Sequence, residues 1–258
     1  MDLQIKGKLF IVCGATSGLG QGVAKALLDE EAFVIGIGRN KDVLDNMAVE
    51  YPGLFEPLEL DVKSDHAPQV VFNILDGRQF DGILVNAGGP PARSFLETTI
   101  SDWDEAYNGL LRWKVVLIKS LLPLLREQKY GRILFLESQS VKQPIPYLVL
   151  STSLRLAVVG MAKELAREVS REGITVNVLA PGRHDTRAME RLISKRMEVE
   201  GVSLEAARLA SANEIPVGFM GSAEDFGKLV AWLMSPHSRY ITGQTISIDG
   251  GLVNGIFG

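Results

Sequence analysis

Seven short runs rich in β-branched and large apolar residues recur along the chain, at 9–13 (LFIVC), 33–37 (FVIGI), 55–60 (FEPLEL), 82–86 (GILVN), 132–137 (RILFLE), 174–180 (ITVNVLA) and 245–248 (TISI). Several are continuously apolar rather than alternating, which is how strands covered on both faces read. Helical patterns of three turns or more lie between them, notably over 18–30, 64–77, 103–127 and 152–172. Such regular alternation predicts an α/β fold: a doubly wound, seven-stranded parallel sheet with right-handed crossovers and helices on both faces, in a single domain. No repeat, linker or low-complexity tract interrupts it. From about 186 to 215 the alternation gives way to charged, short-helical sequence. An insertion after the C-terminal end of a strand lies over the ligand crevice of an open α/β sheet, so 186–215 is the candidate substrate lid.

Composition narrows the classes without naming one. Of 258 residues, 46% are hydrophobic and 22% charged, too apolar for a disordered chain and enough for one large core. The net charge of −4 gives no reason to expect a nucleic-acid or anionic-membrane partner. Cys13 is the one cysteine, so an internal disulfide and a four-cysteine zinc site are excluded, and no metal is expected. No apolar run approaches the ~20 residues needed to span a bilayer, and the N-terminus lacks the apolar core of a signal peptide. A soluble, cytoplasmic protein is the expectation.

The candidate chemistry gathers at strand ends. The first strand runs through Cys13, Gly14, Ala15, Thr16, Ser17, Gly18, Leu19 and Gly20 into a helix, giving the spacing GxxxGxG. Small residues there permit a tight turn, close backbone approach to a pyrophosphate and a helix N-terminus aimed at negative charge. After the second strand stand Gly38 and Arg39, with no acidic residue to hold a ribose 2′-hydroxyl, which favours NADP over NAD. Asp61 and Val62 follow the third strand, where a carboxylate can reach an adenine amine. Asn86-Ala87-Gly88 closes the fourth, Pro181-Gly182 with Thr186 follows the sixth, and YITGQ at 240–244 leads to DGG at 249–251.

Taken in order, GxxxGxG, NAG, PGxxxT and YITGQ…DGG resemble the short-chain dehydrogenase/reductase family, in particular its members of the 3-oxoacyl-carrier-protein-reductase type, over about residues 7–251. The resemblance implies a Rossmann-like fold, bound NADP(H) and a small-molecule substrate. It implies cofactor contacts at Gly14, Thr16, Ser17, Gly18, Leu19, Arg39, Asp61, Val62, Asn86, Ala87 and Gly88, and on the nicotinamide side at Pro181, Gly182, His184 and Thr186. The family pairs the helices matching 103–127 and 152–172 into dimers and usually tetramers, so a homo-oligomer is expected.

At the catalytic end the sequence departs from that family. Its members use an Asn, a Ser and a Tyr-x-x-x-Lys pair: Tyr is the proton donor, Lys lowers the Tyr pKa and binds ribose, Ser polarises the carbonyl, and Asn holds a relay water. In this chain the Asn position falls on Leu110, with Asn108 on another helical face, and the Ser position on Ser138. The Tyr position holds Ser151 and the Lys position Arg155, and no Tyr-x-x-x-Lys occurs anywhere in the sequence. Ser151 and Arg155, four apart on one helical face, can point together into the crevice. Arg155 can keep the ribose contact and a fixed charge but cannot shuttle protons. Ser138, Ser151 and Arg155 are therefore the catalytic candidates.

A substitute acid is conceivable at Tyr147, otherwise a loop aromatic between prolines, or at His184, otherwise a plain loop histidine. Hydride addition to an activated C=C avoids the need, because hydrogen-bond donors stabilise the enolate and solvent supplies the proton. Glu137 reads as structural, alternating away from Ser138 along the strand. Arg187, Arg191, Lys195 and Arg196 form a basic stripe on the lid, and Arg93 follows the 88–91 loop; each offers either an anion contact or a solvated surface charge. Three readings remain open: an atypical NADP(H)-dependent oxidoreductase, a non-catalytic NADP-binding protein with a regulatory or structural role, and an oligomeric scaffold without nucleotide.

Overall fold

The computed structural model describes residues 1–256, with the side chains of Arg187, Ala188 and Arg191 outside that description. The seven apolar runs form β1 (Leu9–Cys13), β2 (Phe33–Gly38), β3 (Phe55–Glu59), β4 (Gly82–Val85), β5 (Gly131–Leu136), β6 (Ile174–Pro181) and β7 (Thr245–Ile248). They pair in the order β3-β2-β1-β4-β5-β6-β7, every neighbour parallel, in register Ile11↔Ile35 and Ile11↔Ile83 at the centre. Strand periodicity divides the core. Phe10, Val12, Val34, Leu84, Leu134 and Leu179 pack against α1 (Gly18–Asp29), α2 (Lys41–Glu50) and α9 (Ala223–Met234). Ile11, Ile35, Ile83, Val85, Ile133 and Val176 face α3 (Ala67–Leu75), α5 (Trp113–Gln128) and α6 (Val149–Val169). The central strands β1, β4, β5 and β6 are thus buried on both sides, the reason several of them read as largely apolar, whereas the edge strands β3 and β7 are only partly covered. No helix among the described residues is long and apolar enough to cross a membrane.

Strand order reverses direction between β1 and β4, so their C-terminal ends splay apart and leave the crevice that an open α/β sheet offers a ligand. Two elements depart from the sequence pattern. The helix expected over 103–127 is α4 (Ile100–Tyr107) and α5 joined by a π-helical turn, Asn108–Arg112, in which the Trp113 indole donates to the Gly109 carbonyl at 3.0 Å. A π turn inserts one residue and rotates the helix beyond it, a feature frequent at functional sites. The 186–215 insertion forms α7 (Arg187–Glu200) and α8 (Leu204–Asn213), pinned by a small core of Met189, Ile193 and Ala207.

Candidate active site

The crevice contains a cavity of about 360 Å³ running along the strand ends, and all of the predicted cofactor and catalytic side chains line it. At its β1 end the chain turns through Gly14 at φ +73°, a conformation that favours glycine. A Cβ on Gly14 would lie 2.6 Å from Asn86 Nδ2, and one on Gly20 would strike the Gly14 carbonyl. The backbone can pack this closely only without side chains. Ser17 makes no side-chain cap to α1 and the first turn holds no acidic residue, whereas Asn40, Thr99, Ser203 and Ser222 cap α2, α4, α8 and α9. The uncapped N–H groups and positive helix end fit a pyrophosphate. At the end of β2, the Thr16 methyl occupies the space that a side chain at Gly38 would need, so no acidic residue can be placed there without displacing the turn. Arg39 is instead 79% exposed at the cavity rim, its Nη1 3.9 Å from Asp61. Cys13 is fully buried, and burial pushes its thiol up to about 12, which leaves it inert.

The catalytic end is built from the C-terminus of β5 and the first turns of α6. Ser138 Oγ accepts from the Ser140 amide at 3.1 Å, which leaves its O–H to donate into the cavity. Arg155 Nε donates to Ser151 Oγ at 2.9 Å, so this hydroxyl too is an acceptor on the protein side. Arg155 Nη1 donates to the Leu136 carbonyl at 3.3 Å and to Glu137 Oε2 at 2.7 Å. Leu110 is buried in the π turn, and Asn108 is exposed.

Glu137, read from the sequence as structural, has its side chain in a buried ion-pair cluster. β5 ends at Leu136, so strand alternation no longer governs the next residue. Its carboxylate is fully buried and accepts from both Arg155 and Lys114, the latter at 2.5 Å. Lys114 has no place in the sequence reading, though a signal exists: it stands four residues from Leu110 and from Ile118 on the apolar face of a helix.

Of the two possible substitute acids, His184 lines the first cavity and Tyr147 a neighbouring one. His184 is buried with its ring edge-on to Phe226 and Nδ1 3.3 Å from the Gly182 carbonyl. Burial holds its pKa below the ordinary value, outweighing that hydrogen bond, so it is neutral near pH 7. Tyr147 has φ +65°, anchored by the Arg93 amide donating to its carbonyl at 2.6 Å. It lines a second cavity of about 600 Å³, beside α7, and its ring centroid is 5.6 Å from Lys195 Nζ. The two cavities meet at Ser138, Leu148, Pro181, Gly182, Met189 and Leu192. Of the basic stripe, Lys195 pairs with Glu198 at 3.2 Å and Arg196 with Glu200 and Glu214 at 3.0 and 2.7 Å, and both residues are half-buried and line the second cavity. The side chains of Arg187 and Arg191 lie outside the described residues. Arg93 is tied to Asp102 at 2.9 Å. No cluster of potential metal ligands occurs among the described residues.

A family model described as enoyl-(acyl carrier protein) reductase matches residues 14–253. The chain belongs to the short-chain dehydrogenase/reductase family. Among short-chain reductases it is 30% identical over 256 residues to the 3-oxoacyl-[acyl-carrier-protein] reductase FabG of Thermotoga maritima, covering 97% of this chain and 100% of that one. It is 26% identical to the NADPH-dependent reductase BacG of Bacillus subtilis, covering 95% and 97%. Two solved structures superimpose closely: YwfH, an NADPH-dependent reductase involved in bacilysin biosynthesis (TM-score 0.90, 25% identity, 97% and 100% covered), and an actinorhodin polyketide ketoreductase variant with NADPH (TM-score 0.90, 26%, 96% and 98%). As a short-chain dehydrogenase/reductase, this chain is an oxidoreductase by family.

Proposed function

We propose that the chain is an NADP(H)-dependent oxidoreductase that works without a Tyr-x-x-x-Lys pair by adding hydride to a C=C bond activated by a carbonyl. The observation that carries this reading is the Arg155–Ser151 hydrogen bond in a cavity that no tyrosine lines among the described residues. The glycine turn and the uncapped start of α1 would hold the pyrophosphate, Arg39 would meet the 2′-phosphate, and Arg155 would serve the ribose and nicotinamide end. NADPH, when bound, supplies the hydride. Ser138 and Ser151 each accept a protein hydrogen bond, so their O–H groups can both turn toward the substrate carbonyl oxygen. As the β-carbon gains hydride, charge moves to that oxygen; the two hydroxyls and the Arg155 cation stabilise the enolate. Water then protonates the α-carbon. Ketone reduction differs because the alkoxide is far more basic and needs a positioned acid, which is worth ~10²–10⁴ in rate.

The adjoining cavity under α7 and α8, apolar at Ile145, Leu148, Met189, Leu192 and Val199, takes the body of a small-molecule substrate, with 186–215 as its lid. Tyr107, Val116 and Leu156 leave apolar side chains exposed on α4, α5 and α6, the helices through which a homo-oligomer would form.

NADPH consumption across matched enones and saturated ketones tests the chemistry. Enones are expected to turn over at least about tenfold faster; the reverse preference would overturn the C=C assignment, and tight nucleotide binding with no turnover of either class would favour the non-catalytic reading. For the cofactor, fluorescence titration should give NADPH affinity at least about tenfold above NADH. Arg39→Ala is expected to erase most of that difference while leaving NADH unchanged; an unaltered ratio would remove Arg39 as the selector.

A further inference from the structure

Lys114 is 2% exposed on α5, in line with Leu110, Leu117, Ile118 and Leu121. A lone ammonium there would be costly, and it persists because Glu137 Oε1 accepts from it while Oε2 accepts from Arg155. One carboxylate therefore lies between two cations, and the cluster carries a net charge of +1 when Lys114 is protonated. Lys114 and Glu137 are closed to solvent, whereas Arg155 lines the cavity, so the excess charge is felt there with little screening.

We propose that Lys114 and Glu137 are positioning residues that, with Arg155, form one charge centre whose excess positive charge makes the site prefer the uncharged reduced nicotinamide over the cationic oxidised ring. This rests on the oxidoreductase reading above. The same field favours negative charge developing on a substrate. Glu137 also fixes the guanidinium that orients Ser151.

The charged neighbours of Lys114 are Glu137 after β5, Arg155 on α6 and Lys63 in the loop after β3. Arg112 in the preceding turn is paired with Asp65 at 2.7 Å, and α3 and β4 bring no titratable side chain. Burial, aided by Arg155 and Lys63 and opposed by Glu137, pulls Lys114 down to about 8. Below that pH the centre carries +1 and prefers NADPH; above it the charge falls to zero and the preference fades.

The test is the ratio of NADP⁺ to NADPH dissociation constants, titrated between roughly pH 6.5 and 9.5. Any titration of the shared 2′-phosphate cancels in this ratio. For the native protein it should fall about fivefold or more as pH rises, the scale for two unit charges across a partly buried site. Lys114→Met, with zero net charge, should show the low ratio at neutral pH and no pH dependence. Glu137→Gln withdraws the carboxylate that favours the Lys114 ammonium, so Lys114 should lose its proton at a lower pH than in the native protein; the ratio should exceed the native one only below that transition and hold near the native neutral-pH value above it. The double variant Lys114→Met/Glu137→Gln, again +1 but without a titrating lysine, should regain the native ratio and hold it to high pH. Purely structural residues would instead give damage that accumulates in the double variant, and that result overturns the proposal. So does a native ratio that is flat with pH, which stands even if a variant fails to fold. Binding of neither nucleotide by the native protein would remove the oxidoreductase reading and this inference together, whereas binding with a flat ratio removes the inference alone.

Discussion

Arg155→Met is expected to lower enone turnover with NADPH by about 10²–10³, the scale for removing one preorganised donor from a site of developing charge. Three losses coincide. The guanidinium charge leaves the cavity, Ser151 Oγ loses the Nε–H that orients it, and Glu137 Oε2 loses its partner. The last is a stability effect as well. Glu137 keeps Lys114, so the penalty falls short of a fully orphaned buried carboxylate and should be about 3 kcal/mol. For a domain of this size that lowers the thermal midpoint by roughly 6–12 °C. Steady-state kinetics beside a thermal melt check both. A lower midpoint with turnover unchanged would make Arg155 a structural residue and leave the catalytic proposal without its cation.

Ser151→Tyr/Arg155→Lys is expected to raise the reduction of simple ketones by ~10²–10⁴, the contribution of a positioned general acid. Ser151 lines the cavity, so a phenol introduced there extends into open volume and not into the packed core. Lysine at 155 retains a cation near Glu137 and, unlike arginine, can exchange its proton and lower the phenol pKa. Ser151→Tyr alone should gain less, because the neighbouring cation would still be the Arg155 guanidinium. Measuring NADPH oxidation with a saturated ketone before and after the change checks the expectation. A folded, nucleotide-binding double variant with no gain would mean that something other than the missing acid bars ketones, and the enone argument would lose its footing.

The opposite fates of Ser151 and Glu137 show where sequence reasoning reaches and where it stops. Helical spacing alone places Ser151 and Arg155 together, and the structure joins them by a hydrogen bond. The spacing of a regular element transmits position over a few residues with little error. Strand alternation does not reach the pairing of Glu137 with Lys114 and Arg155, because the residue stands one past the end of β5, where the two-residue period no longer applies. The helix expected over 103–127 fails for a similar reason. A single inserted residue makes the turn at Asn108–Arg112, and hydrophobic periodicity averaged over a long window does not register it. Lys114 is legible as a charge on an apolar stripe, but its partners come from β5 and α6, and no local pattern relates those to α5.

By itself the sequence determined the strands, the parallel doubly wound sheet, the glycine turn and the absence of the Tyr-x-x-x-Lys pair. These rest on local periodicity, on backbone sterics at small residues and on residue identity, none of which needs a distant partner. Tertiary structure alone decided that Glu137 pairs with Lys114 and Arg155 in the buried interior, that His184 is buried and neutral, and that Thr16 closes the space beside Gly38. Burial and charge pairing are properties of groups far apart in the chain, and they acquire an energy only when folding removes water from between them.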